Sequence, residues 1–167
     1  MTCAFHLVDD LRNARSDLLT ACQDVSDADL HRRPPRSQAE PVEAGCAIIE
    51  LLAHLPDVDR YYLSQAQALR DVPGHSFVYF DEEAWAQEHA DAIERDANGV
   101  KLAMAAAHEE VVRWTRSLTP EELDRVGGHP RRESISVREM IQRIANHDRN
   151  HTEQVRTIRR ALAEPSP

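Results

Sequence analysis

The chain has 167 residues, a formal net charge of −9, 41% hydrophobic and 29% charged residues, a size and balance that suit one globular domain with a real core. Acidity of this degree repels a phosphate backbone and argues against a nucleic-acid partner. No stretch approaches the ~18 apolar residues of a membrane span, which leaves a small molecule as the expected partner.

Five glycines, few β-branched residues and many alanines and leucines favour helix over sheet. Lys101 is the only lysine, a bias toward arginine that reads as a GC-rich coding habit and not as nucleic-acid binding. Cys3, Cys22 and Cys46 are odd in number and widely spaced, with no C-x-x-C. That pattern fits reduced thiols. With no signal peptide in the first twelve residues, a cytoplasmic protein is expected.

In chain order, Phe5, Val8, Leu11, Leu18, Leu19, Cys22 and Val25 recur at helical spacing and predict helix one from Ala4 to Val25. Ser26 to Leu30 reads as one short turn. His31 to Arg36, with Pro34 and Pro35, reads as a loop. Helix two is predicted from Pro41, a residue suited to a first turn, to Arg70. Its apolar stripe is Ile48, Leu51, Leu52, Leu55, Val58 and Tyr62. Pro56 lies inside that stripe and is expected to kink the helix, because it removes a backbone donor and clashes with the preceding turn.

Asp71 to Phe80 reads as loop around Val72-Pro73-Gly74. Asp81, Glu82 and Glu83 then open a short helix to Arg95, carboxylates favouring the positive end of the dipole. Asn98 is expected to cap helix three, which runs to Ser117 on the stripe Val100, Ala103, Met104, Ala107, Val111 and Trp114. The connection from Asp71 to Ala97 is long for a bundle, so a crossover is expected. Thr119-Pro120-Glu121-Glu122 is a capping box for one short turn, stopped by Gly127-Gly128. Ser136-Val137-Arg138-Glu139 is a second box that opens helix four, predicted to Ala163. The expected organisation is a single all-α domain over residues 1–163, a four-helix bundle with a long crossover between helices two and three and no sheet. Residues 164–167 form a short tail.

The chemistry concentrates in histidines. Helix four carries Val137, Met140, Ile141, Ile144, Val155, Ile158 and Leu162 on one face, and His147 and His151 fall on that face. Four residues apart, they stack about 6 Å along the axis and can aim at one ion. Two buried imidazoles one turn apart lose hydration and repel when charged, so an apolar-face pair calls for a use. His54, in line with Ala47, Leu51, Val58 and Tyr61, is the best third ligand, although a lone histidine there also fits as a hydrogen-bonded core residue. Three imidazoles leave open positions for water or substrate. His147-Asp148-Arg149-Asn150-His151 also invites comparison with the H-E-x-x-H helix of metalloproteases. Asp148 is one methylene short of that glutamate, however, and no downstream ligand follows.

The stretch Glu50-Leu51-Leu52-Ala53-His54-Leu55-Pro56-Asp57-Val58-Asp59-Arg60-Tyr61-Tyr62 resembles the helix-two motif of the DinB/YfiT-like superfamily. Ser134 to Ile141, leading to His147-Asp148-Arg149-Asn150-His151-Thr152-Glu153-Gln154-Val155, resembles its last helix. Gly128-His129-Pro130 and Phe80-Asp81-Glu82 with Trp85 add to the likeness, which spans nearly the whole chain. The resemblance implies a four-helix bundle with a long connection between helices two and three. It also implies a divalent metal, often nickel or zinc, on His54, His147 and His151. Members with assigned activity are mostly transferases or isomerases that use low-molecular-weight thiols such as mycothiol, bacillithiol or glutathione.

The leading expectation is therefore a metal-dependent thiol S-transferase, since a thiol on the ion loses its proton near neutral pH. A metal-dependent hydrolase or isomerase would use the same ligands. A non-catalytic metal-binding or oligomerising bundle is the third reading. Asp57 and Tyr61, one and two turns beyond His54, are the candidate catalytic residues, as proton donor or substrate anchor. They also fit as a surface carboxylate and a core phenol. Glu50, one turn before His54, could orient it or be solvated. His6, His31, His75, His89 and His108 lack partners at ligand spacing and are expected at the surface, with His129 in a loop near the site mouth. Arg149, Arg156, Arg159 and Arg160 are expected on the solvated side of helix four. Cys46 is expected to be a small buried hydrophobe. Exposed apolar stripes could close a homodimer.

Overall fold

A computed structural model describes residues 4–34 and 45–163 of the chain. Helix α1 spans Ala4–Ala21, shorter than expected. Asp24 adopts a positive φ of 61° just beyond it, which turns the chain before Val25. The stripe is also rotated: Leu7, Val8, Leu11, Ala14, Arg15, Leu18 and Ala21 are buried, while Phe5 is 67% exposed and Leu19 45%. The expected short turn is helix α2, Asp27–Leu30, capped by the Ser26 side chain, which accepts from the Asp29 amide.

The predicted start at Pro41 and the residues Cys3, Pro35 and Arg36 lie outside the described residues, as does the tail. Helix two is in fact two helices, α3 (Ile48–Ala53) and α4 (Leu55–Asp71). Cys46 and Ala47 precede the first of these; Ala47 is its N-cap, and its amide donates to the Glu50 carboxylate at 2.8 Å. Pro56 does not bend a continuous helix. It stands in the first turn of α4, where its missing N–H leaves nothing unsatisfied. The break falls on His54, which closes α3 and opens α4.

The crossover holds helix α5 (Glu82–Glu88), capped by Asp81, and a 3-10 turn over Ala90–Glu94. Helix α6 spans Ala97–Arg116, and its cap is Asp96, not Asn98: the Asp96 carboxylate accepts from the Gly99 amide at 2.6 Å. Helix α7 (Pro120–Leu123) begins at the Thr119 capping box, and α8 (Val137–Ala163) follows the Ser136–Glu139 box. Between them the chain departs from the all-helical expectation. Val126–His129 (β1) and Arg132–Ser136 (β2) form an antiparallel hairpin pairing Gly127 with Ile135. Its other edge takes the loop after α4: the Gly128 amide donates to the His75 carbonyl and the Phe77 amide to the Gly128 carbonyl, both at 2.9 Å.

The four long elements α1, α4, α6 and α8 pack as a ring, α1 touching α8 and α6 while α4 touches the same two. Their buried residues fall into two apolar clusters. On α1 the first cluster takes Leu7 to Ala14 and the second Leu18 to Cys22. On α8 the first takes Val137 to Ala145 and the second Val155 and Ile158. The order is reversed on α3–α4 and on α6. Helices α1 and α8 therefore run one way and α4 and α6 the other. A parallel α4/α6 pair cannot be joined by a tight turn, so the crossover must travel the length of the bundle. No described helix is long and apolar enough to cross a membrane.

Candidate metal centre

Between the two apolar clusters lies a polar layer drawn from every long helix. Arg15 interrupts the stripe of α1, His54 and Asp59 sit on and after the α3–α4 break, His108 lies on α6, and Asp148, His151 and Thr152 lie on α8, all buried. His147, on the same helix, is half-buried.

His54, His147 and His151 converge. One ring nitrogen from each lies within 4.8 Å of the others. The rings meet edge to face, with centroids 5.3 Å apart for His54–His147, 4.7 Å for His54–His151 and 4.4 Å for His147–His151. The two α8 histidines bring their Nε2 atoms to 3.1 Å, as their one-turn spacing dictates. His54 meets them from the break, where it caps both α3 and α4. Burial pulls His54 down to about 4, and the nearby His147 adds to the fall. His151 is drawn lower still, first by burial and then by His147 and His54. Both imidazoles are therefore neutral near pH 7, with a lone pair free to bind a cation.

The donor set passes the test for a divalent ion. His54 Nε2 is buried with no hydrogen-bond partner among the described residues, an arrangement that is costly unless something takes that lone pair. Three imidazoles are ligands of the kind zinc and nickel accept.

The crossover covers this cluster. Glu82 Oε1 lies 3.4 Å from His147 Nε2, and that contact holds the Glu82 carboxyl below its usual range against the effect of burial. Trp85 tilts against His54 at 5.6 Å, and His89 stacks on Trp85 at 4.3 Å. On the α8 side a polar cavity of about 400 Å³ opens beside His147, lined among others by Glu82, Gln142, Asn146 and Asn150.

Beneath the histidines, Arg15 joins two buried carboxylates. Its Nη2 donates to Asp59 Oδ2 at 2.8 Å, its Nε to Asp148 Oδ2 at 2.8 Å, and its Nη1 to the Met104 carbonyl at 3.2 Å. Burial raises Asp59 to about 6 despite Arg15 beside it, with Asp148 adding to the rise. Asp148 follows His147 directly, so this ion network fixes the roll of α8 that aims His147 and His151.

A bundle with parallel α1/α8 and α4/α6, a crossover over its waist and one histidine before two on the last long helix can now be set beside known proteins. The profile of the DinB superfamily matches residues 10–155. The chain belongs to the DinB superfamily. YfiT from Bacillus subtilis, described as a probable metal-dependent hydrolase with an unusual four-helix bundle topology, is a structural neighbour of this DinB chain. The two share a TM-score of 0.77 and 18% sequence identity, over 97% of this chain and 89% of that one. At that identity the likeness speaks to the fold. No curated protein matches the chain.

The other expected residues of this DinB protein are placed as follows. Asp57 accepts from Trp85 Nε1 at 2.9 Å and so anchors the crossover. The Tyr61 hydroxyl donates to the Val78 carbonyl at 3.4 Å, and its ring packs on Phe80 at 5.4 Å. Neither lines the cavity beside His147. Glu50 is taken up by the Ala47 amide and by Arg33 rather than by His54's ring. His108, expected at the surface, is buried with both ring nitrogens unpartnered among the described residues, and burial lowers it to about 3. His129 stacks on Phe77 at 5.5 Å and shares a hydrogen bond with the Tyr79 hydroxyl. Cys22 is a buried free thiol that burial pushes up to about 11, and Cys46 is half-buried.

Proposed function

We propose that this protein is a divalent-metal-dependent enzyme that acts on a small polar molecule, and that its reaction is S-transfer with a low-molecular-weight thiol. One observation carries the reading: three histidine nitrogens within 4.8 Å of one another beside an open polar cavity. His54, His147 and His151 would hold the ion, nickel or zinc. Once bound, such an ion supplies Lewis acidity that lowers the pKa of a thiol or water.

The protein's own groups do the rest. Burial keeps His54 and His151 in the neutral form that donates a lone pair. Glu82 Oε1, beside His147, sets a carboxylate at the mouth of the site. Gln142, Asn146 and Asn150 offer amides to a polar ligand. Trp85, tied to Asp57, excludes water from the opposite side of His54. In this proposal Asp57 and Tyr61 act from outside the cavity, as positioning residues for the crossover. A cavity with an open mouth suits an extended thiol cofactor better than a lone water.

Hydrolysis is the second reading, favoured by the description of YfiT as a probable metal-dependent hydrolase. We also take the protein to be cytoplasmic, and to be a homodimer because Phe5, Leu19 and Leu102 are large apolar side chains on exposed helix faces.

The test begins with metal content of the purified protein and of a His147→Ala, His151→Ala double variant. Near-stoichiometric metal in the native protein and none in the variant is expected. The loaded protein is then offered glutathione and 1-chloro-2,4-dinitrobenzene, alongside a p-nitrophenyl ester. Metal-dependent thiol consumption supports transfer, and ester cleavage without it moves the assignment to hydrolysis. No metal after incubation with nickel or zinc would sink the site, and a monomer mass by light scattering would remove the dimer.

A further inference from the structure

We infer that Arg143 is the anion-binding residue of this cavity, and that the molecule bound there carries a carboxylate about one helical turn from the atom that reacts at the histidines; this rests on the metal-enzyme reading above.

Arg143 precedes His147 by four residues on α8, so the two stack on one face about 6 Å apart along the axis. Both line the cavity. Three aromatic rings hold the guanidinium in place. Its carbon lies 4.6 Å from the Tyr79 ring centre, 5.5 Å from Phe77 and 5.7 Å from Tyr62. Tyr79 is itself fixed by Phe77 at 4.8 Å and by His129. Ring faces attract a cation but do not use up its five N–H donors.

Those donors are unspent. Arg143 Nε is buried without a partner, and among the described residues no hydrogen bond or ion pair engages the group. The other arginine of the cavity is paired, and Glu82 lies against a histidine: Arg132 meets Glu139 at 2.9 Å, and Glu82 faces His147. A shortage of acids does not explain this, since the chain has 29 acidic residues against 20 basic ones. Arg70, Arg138 and Arg149 all find carboxylates. A partly desolvated guanidinium that is held rigid, with only the through-space field of Glu82 to balance it and no acceptor on its donors, is a site waiting for one.

The fork of a guanidinium matches a carboxylate through two parallel N–H donors. One guanidinium, flanked by Glu82 and Glu139, suits a monoanion. A phosphate dianion would leave net negative charge next to Glu82 and Glu139.

The test uses zinc-loaded protein and calorimetric titration with 3-mercaptopropionate and with its neutral amide, which differ at the anion alone. The acid is expected to bind about tenfold or more tighter, the range of a charge-assisted hydrogen-bond pair. Arg143→Gln is expected to erase that preference while leaving metal content unchanged, and Arg143→Lys to restore part of it. Equal binding of acid and amide by the native protein, or no binding of either, overturns the proposal, and neither outcome depends on how a variant folds. A preference that survives in a folded Arg143→Gln protein overturns the assignment to Arg143. Tighter binding of methyl phosphate than of the acid overturns the carboxylate. If zinc does not bind, the metal reading fails by itself. Butyrate against butyramide, titrated into metal-free protein, then decides the anion site: a preference for butyrate supports it and parity overturns it.

Discussion

Arg15 is the residue on which the interior depends most. It stands between Asp59 and Asp148 with all three side chains buried. Removing one member of such a group leaves buried charge uncompensated, which costs about 3–5 kcal/mol. Arg15→Met is therefore expected to lower stability by that order at pH 7, read from the urea denaturation midpoint. A midpoint equal to that of the native protein would show that the carboxylates need no cation. The convergence of the three histidines is legible in the sequence because two of them share a helix face at the spacing of one turn, and the third lies within a resemblance-bearing motif. The ion network is less legible, although the sequence carries a signal for it. Arg15 lies four residues after Leu11, Asp59 four after Leu55 and Asp148 four after Ile144, each filling a gap in an apolar stripe. His108 does the same between Met104 and Val111. A polar residue in a stripe tells of burial without telling which distant partner it meets, and here the partners lie on other helices.

At the scale of elements, the hairpin is the clearest departure from the sequence reading. Its strands, Val-Gly-Gly-His and Arg-Glu-Ser-Ile-Ser, bury only Ile135, so no alternation of apolar and polar residues announces them. In the sequence Gly127 and Gly128 mark a stop after a short helix. Their second role is to let the chain after α4 approach the strand. A Cβ on Gly127 would lie 2.3 Å from the His75 carbonyl oxygen and 2.3 Å from Leu69 Cδ2. Gly127→Ala is expected to cost roughly 1–3 kcal/mol, the usual range for forced overpacking, and a thermal melt would register it. An unshifted melt would mean that the loop over residues 75–77 yields freely. The Pro56 outcome has a similar origin. Proline in a stripe signals an interruption without saying where the chain breaks, and the break comes two residues earlier, which leaves Pro56 in a first turn. Here that interruption delivers His54 to the site.

At the scale of the molecule, two apolar halves enclose a polar waist, and this makes stability respond to acid. His54 and His108 fall from the usual 6.5 to about 4 and about 3, chiefly through burial. A base whose folded pKa is depressed stabilises the fold above its unfolded pKa and loses that contribution as pH falls through the folded value. Asp59, raised to about 6, acts with the opposite sign, its stabilisation being lost as pH rises from its ordinary 3.8 through 6. Histidines outnumber it, since His151 shifts the same way. The melting temperature of metal-free protein is therefore expected to drop steadily from pH 6.5 to pH 4, with a shallower slope in His108→Gln. A flat profile across that window would contradict the buried, neutral state of these rings. The four-helix architecture itself was readable, because long amphipathic stripes and an overlong second connection leave few alternatives. The direction of each helix was not, since it depends on which cluster each half of a stripe joins.

The crossover has one more consequence. It spans the bundle on the outside, and α5 contributes no buried residue, yet it supplies Glu82 and Trp85 to the site. The scaffold that holds the histidines and the segment that roofs them are thus separable parts of one chain. Such an arrangement is open to redesign: the roof can be rewritten for a new substrate while the folding problem, solved by α1, α4, α6 and α8, is left as it stands.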